Sequence, residues 1–139
     1  MPDHDNLEIF VTAQAPLYEQ VRGELSRGRK SGHWMWFVFP QIAGLGRSPM
    51  ARRFALGSLE EAEAYLRHPV LGARLKECTR LVNAVQGRTA REIFGTSDNL
   101  KLRSSMTLFA CVKTGDGCFE AALNKYFGGE QDPLTLARI

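Results

Sequence analysis

Residues 58–92 read SLEEAEAYLRHPVLGARLKECTRLVNAVQGRTARE, and this run decides the fold class. It opens on Ser58 with Glu61 three places later and closes on Thr89 with Glu92, the spacing at which a hydroxyl accepts from the third helical amide while the glutamate reaches back. Between them His68-Pro69 puts proline at a first helical position, where its missing N–H leaves no bond unmade. From there Leu71, Leu75, Cys78, Val82 and Val85 recur at helical period, which predicts a helix over about 69–86 with one buried face.

The same punctuation extends outward. Ala15-Pro16, Ser48-Pro49 and Asp132-Pro133 are further helix starts, and Gly28, Gly57, Gly87 and Gly128-Gly129 read as stops. Shorter apolar stripes accompany them: Leu7, Phe10 and Val11; Tyr18, Val21 and Leu25; Leu59, Ala62 and Leu66; Leu102, Met106 and Phe109; Phe119, Leu123 and Tyr126. Such short helices hold only when packed together. The expected fold is therefore all-α: a compact single-domain bundle over residues 1–139 of about eight short capped helices, with residues 1–5 flexible. The chain's 139 residues, 44% hydrophobic and 24% charged, suit one core and no second domain of full size.

Composition removes several classes. No uncharged apolar run approaches the roughly 20 residues that span a bilayer, and MPDHDNLEIF is no secretory signal. Cys78, Cys111 and Cys118 form an odd set without C-x-x-C spacing, so reduced thiols and a cytoplasmic location are expected. No second His, Cys or carboxylate stands at metal spacing from His33, His68 reads as a helix-boundary residue and His4 lies in the tail; neither metal nor cofactor is expected. The net charge is +3, with Arg22, Arg27, Arg29, Lys30, Arg47, Arg52 and Arg53 in the first half. This basic balance suits a solvated face or a small phosphorylated or nucleotide-like partner, and no motif for sequence-specific nucleic-acid recognition goes with it.

One stretch departs from the helical pattern. His33 to Gln41, HWMWFVFPQ, has six consecutive apolar residues but no second strand to pair with, so an extended or single-turn aromatic segment buried between helices is expected. Gly44, Gly46, Arg47 and Ser48 follow it. Glycines that let the backbone bend, an arginine and a Ser-Pro helix start suit either a plain turn or a cradle for an anion.

The second informative stretch runs from Phe94 to Phe109. Ser97 or Asp98 can cap a helix there, and Ser105 shares the stripe of Leu102, Met106 and Phe109, so its hydroxyl bonds back to a main-chain carbonyl or faces a pocket. Lys101 stands four residues before Ser105 and three before Ser104, the spacing of a lysine-activated serine. Gln14 is polar on an apolar face, and Glu24 is the carboxylate nearest in sequence to the aromatic block. The candidate catalytic groups are thus Glu24, Asp98, Lys101 and Ser105. The candidate ligand-binding groups are Gln14, Lys30, His33, Trp34, Trp36, Gln41, Gly44, Gly46, Arg47, Ser48, Lys101, Ser104 and Ser105.

The order Phe10-x-x-Ala-Gln14, Glu24-Leu25 with Gly28 and Lys30, HWMWFVFPQ, G-L-G-x-S, I-F-G-x-x-D-x-x-K-L-x-S-S-M-T-L-F and Tyr126-Phe127-x-Gly-x-x-Asp-x-x-Thr-Leu resembles the domain of unknown function 1810 family over nearly the whole chain. The resemblance implies a compact all-α domain and no particular reaction. Some members carry a calpastatin label, but nothing here is like a disordered inhibitor repeat. In outline the chain is also similar to the NADAR group of helical N-glycosidase-type proteins. That likeness implies stacking on the tryptophans, phosphate at the glycine-arginine turn and a carboxylate, Glu24 or Asp98, handling water. Two functions stay open: a small-ligand pocket protein that hydrolyses a nucleotide- or ADP-ribose-like substrate, and a non-catalytic interaction module anchored by the aromatic block. Substrate, pathway and oligomeric state are not specified.

Overall fold

The structure, a computed structural model, describes residues 3–113 and 116–139. Among these, nine helices follow in order: α1 Asp3–Gln14, α2 Tyr18–Ser26, α3 Met35–Val38, α4 Pro49–Arg53, α5 Leu59–Arg67, α6 Leu71–Ala84, α7 Ala90–Ala110, α8 Cys118–Phe127 and α9 Pro133–Leu136. The fold is all-α. The N-terminal stretch expected to be flexible has residues 1–2 outside the described part, and residues 3–5 open α1.

The helix starts follow their caps. Thr89 and Glu92 form the complete reciprocal box, whereas Ser58 accepts from the Glu61 amide without a return bond. Ser48 and Asp132 cap α4 and α9 with proline behind them. Pro16 and Pro69 precede their helices by a turn instead: α2 begins at Tyr18 and α6 at Leu71, where His68 Nδ1 accepts from the amides of Val70 and Leu71 at 3.2 and 3.3 Å. Gly28, Gly87, Gly128 and Gly129 take the left-handed conformation expected of stops, and Gly57 does not; it precedes the Ser58 cap.

One local expectation is decided between its alternatives and another is corrected. Over Met35–Val38 the aromatic segment is a single helical turn rather than extended, because a turn satisfies buried amides locally where no strand is at hand: Val38 N–H reaches the Trp34 carbonyl and Phe39 N–H that of Met35. Beyond it Ile42 makes one isolated parallel bridge with Leu56. In α7, Gly95 at φ 90°, ψ 173° interrupts the helix. The helix expected to begin at Ser97 or Asp98 is thus the long second part of α7, and Asp98 spends its carboxylate on lysines rather than on a cap.

The buried side chains form one cluster drawn from α1, α2, α3, α5, α6, α7 and α8. An aromatic chain runs through it, Phe10 to Tyr65 to Phe109 to Phe119, at centroid separations of 5.2, 5.5 and 5.7 Å. It joins α1, α5, α7 and α8 by edge and tilted contacts that add to plain area burial. Helix α7 packs on α5, α8 and α9, and its outer face is left for the site.

Candidate functional site

Glu24 of α2 is 1% exposed. Its carboxylate accepts from the amides of Ser31 and Gly32 at 2.8 and 2.9 Å, from Trp34 Nε1 at 2.9 Å and from Gln20 Nε2 at 2.8 Å. Burial pushes the group up, but the two amides and two side-chain donors outweigh it and hold the carboxyl at about 2. A carboxylate so saturated is a hub for the 31–34 loop. Trp34, the indole it fixes, is 0% exposed and offers no face to a ligand.

Lys30 lies over that indole, its ammonium 5.0 Å from the ring centroid, and donates to the Gly32 carbonyl at 2.5 Å. It also pairs with Asp98 at 2.8 Å. Asp98 takes Lys101 on its other oxygen at 3.1 Å, and Lys101 reaches Ser97 Oγ at 3.2 Å. Burial raises the Asp98 carboxyl while the two lysines lower it, and the lysines prevail. One carboxylate between two ammonium groups leaves one positive charge uncompensated where Lys101 meets the surface.

At that point a cleft of about 340 Å³ opens, lined by Gln41, Leu45, Gly46, Ser97, Leu100, Lys101, Arg103, Ser104, Asp132 and Leu134. Ser104 Oγ stands 2.7 Å from Asp132 Oδ2 and 3.2 Å from the Leu100 carbonyl. Asp132 also accepts from Thr135 Oγ1 at 2.6 Å and from the Leu134 amide at 3.3 Å, while its own amide donates to Thr107 Oγ1. Burial raises its carboxyl, but Thr135, Ser104, Leu134 and Arg103 lower it further. Arg103 donates to the carbonyls of Glu130 and Gln131. The C-terminal segment is thereby latched to α7 as one side of the cleft.

Of the residues singled out in the sequence, Gln41, Gly46, Lys101 and Ser104 line this cleft, with Lys30 and Asp98 behind it. The others stand elsewhere. Gln14 is a core bond-maker: its Nε2 donates to the Phe37 carbonyl at 2.6 Å and to Tyr65 at 3.0 Å, tying α1 to α3 and α5. His33 is exposed and Trp36 is half-buried against the core. Ser105 is 0% exposed, and its hydroxyl has no partner among the described residues. The expected bond back to a carbonyl is made by Ser104 and Thr107 instead. Lys101 directs its ammonium to Asp98 and Ser97, not to Ser105.

The glycine-arginine turn is also filled from within. The Arg138 guanidinium lies against Gly44, 2.4 Å from where a Cβ would stand. Arg47 is exposed, and Ser48 Oγ already takes the Ala51 amide at the head of the five-residue α4. Arg103, Leu45, Leu100 and Leu134 were not signalled as site residues; the available sign was that Leu100 falls off the core stripe of Leu102, Met106 and Phe109. Asp132 announced only its cap.

Among the described residues there is no cluster of potential metal ligands, and no helix is long and apolar enough to cross a membrane. A family model described as "Protein of unknown function (DUF1810)" matches residues 4–139. The fold is similar to that of the conserved hypothetical protein Rv1873 from Mycobacterium tuberculosis, solved by crystallography, with a TM-score of 0.93, 60% identity and coverage of 95% of this chain and 94% of that one. No curated protein matches the chain.

Proposed function

The chain belongs to the family of unknown function DUF1810, and from that premise we propose that it binds a small phosphorylated or nucleotide-like anion in the cleft between residues 41–46 and the outer face of α7. The observation that carries this reading is the meeting of two distant stretches: Gln41 and Gly46 on one side, Ser97, Lys101 and Ser104 on the other. The lining residues include two cations, Lys101 and Arg103, and one carboxylate, Asp132; Arg103 is paired with Glu130 at 3.4 Å, and Lys101 shares Asp98 with Lys30. An amide, the Ser97 hydroxyl and a lysine around a concave site are what orients a small anion. A cytoplasmic location, where phosphorylated small molecules are abundant, goes with it.

Binding is favoured over hydrolysis. Glu24 is saturated with donors, and Ser105 is closed off from Lys101. Two serine–base pairs line the cleft, but the Lys101 ammonium beside Ser97 is held by Asp98, and three donors weaken Asp132 beside Ser104 as a base. An interaction module anchored by the aromatic block is disfavoured because Trp34, Phe37 and Phe39 are spent on the core.

The test is a thermal-shift series with inorganic phosphate, sugar phosphates, nucleoside monophosphates and ADP-ribose at constant ionic strength, run on the wild type and Lys101→Ala. A ligand near 100 times its Kd adds about 2.7 kcal/mol, a rise of roughly 5–10 °C. That rise is expected in the wild type and lost in the folded variant. No rise with any compound, or an equal rise in Lys101→Ala, contradicts the reading.

A further inference from the structure

The two most exposed large apolar side chains among the described residues, Leu134 at 65% and Leu100 at 59%, both line the same cleft. A lone exposed leucine needs no account, since much of any protein surface is apolar. Two that border one concave, cation-bearing site are not scattered in that way.

Neither leucine serves the fold. Helix α7 buries Leu102, Met106 and Phe109 on its core face, leaving Leu100 outside that stripe. Helix α9 is secured by the Asp132 cap and by Thr135, its buried residue, while Leu134 points outward. On α7 the cleft residues Ser97, Leu100, Lys101 and Ser104 fall at i, i+3, i+4 and i+7, which is one continuous helix face. That face alternates hydroxyl, apolar, cationic and hydroxyl groups, and half-buried Leu45 extends its apolar part.

Building on the anion-binding reading above, we infer that the ligand joins its anion to an apolar group of about the size of one ring. The anion sits at Lys101 beside the Ser97 hydroxyl, whose proton is free to donate, and the apolar group is held among Leu45, Leu100 and Leu134. A volume of about 340 Å³ lies at the lower end for small-molecule sites, which suits one ring or a short chain with one anionic group rather than a dinucleotide.

Calorimetric titration with inorganic phosphate, ribose 5-phosphate, butyl phosphate, phenyl phosphate and a nucleoside monophosphate at fixed ionic strength tests this. At least one phosphate bearing an apolar group is expected to bind tenfold or more tighter than inorganic and ribose phosphate. Tenfold is about 1.4 kcal/mol, the effect of covering on the order of 55 Å² of apolar surface. Butyl against phenyl distinguishes chain from ring. The exposed pair Leu100→Ser and Leu134→Ser, made together, is expected to erase the preference, bringing the apolar phosphates to the affinity of inorganic phosphate. If all the phosphates bind alike, or the double variant keeps the preference, this inference is overturned while anion binding stands. If none binds, inorganic phosphate included, the anion-binding reading fails and takes this inference with it.

Discussion

At the scale of single residues, Glu24 is a buried carboxylate with four hydrogen-bond donors. Its carboxyl, normally near 4.5, is held at about 2. The depressed value means that folding is favoured by ionisation: this stability is fully present above about 4.5 and is lost as pH falls through about 2. The difference corresponds to about 3 kcal/mol. Denaturant unfolding at pH 7 and at pH 2.5 is expected to show much of that loss in the wild type. Glu24→Gln should be destabilised at pH 7 by roughly 2–3 kcal/mol and lack this part of the acid dependence. Two neighbouring serines make the opposite comparison. Ser104→Ala takes a donor from Asp132 and should cost about 1–2 kcal/mol, whereas Ser105→Ala removes an unpartnered buried hydroxyl and should be neutral or stabilising. Gln14 was legible as a buried bond-maker because a lone polar residue on an apolar helix face needs partners. The role of Glu24 was not, because its donors come from a loop whose path depends on the whole fold.

At the scale of elements, two glycines set how helices meet, for different reasons. A Cβ on Gly72, in the first turn of α6, would fall 2.1 Å from the Leu66 carbonyl oxygen of α5. Backbone cannot yield as a side-chain tip does. Gly72→Ala is therefore expected to cost roughly 3 kcal/mol by chemical denaturation despite alanine's better helix propensity. At Gly95 there is open space, but φ 90° and ψ 173° belong to a region nearly restricted to glycine. Gly95→Ala should cost about 1–3 kcal/mol through strain alone. The caps at Ser48, Ser58, Thr89 and Asp132 were readable because each is a local bond between residues three or fewer positions apart. The turn at Met35–Val38 was not settled by sequence, since six apolar residues lack the period that separates a strand from a helix. Gly72 escaped notice for the reason that hid the role of Glu24: what makes it necessary lies outside its own element.

At the scale of the whole molecule, the polar interior and the cleft are joined. Glu24 fixes Trp34, Trp34 supports Lys30, and Lys30 shares Asp98 with Lys101 at the cleft edge. Sequence reading brought forward two stretches, 33–48 and 94–109, that meet at this cleft, and offered the tryptophans as stacking surfaces, whereas Trp34 is in the core and Trp36 is half-buried against it. Lys101 and Ser104 were recognisable by type and helical spacing; Arg103 and Leu134 enter only because the C-terminal segment returns across α7. The most direct test of the central claim is a ¹H–¹⁵N correlation titration of the intact protein with phenyl phosphate. Saturable shifts are expected to concentrate at Gln41, Gly46, Ser97, Lys101 and Ser104, and to be lost in Lys101→Ala. Shifts that gather away from this cleft, or a spectrum unchanged at millimolar ligand, would contradict it.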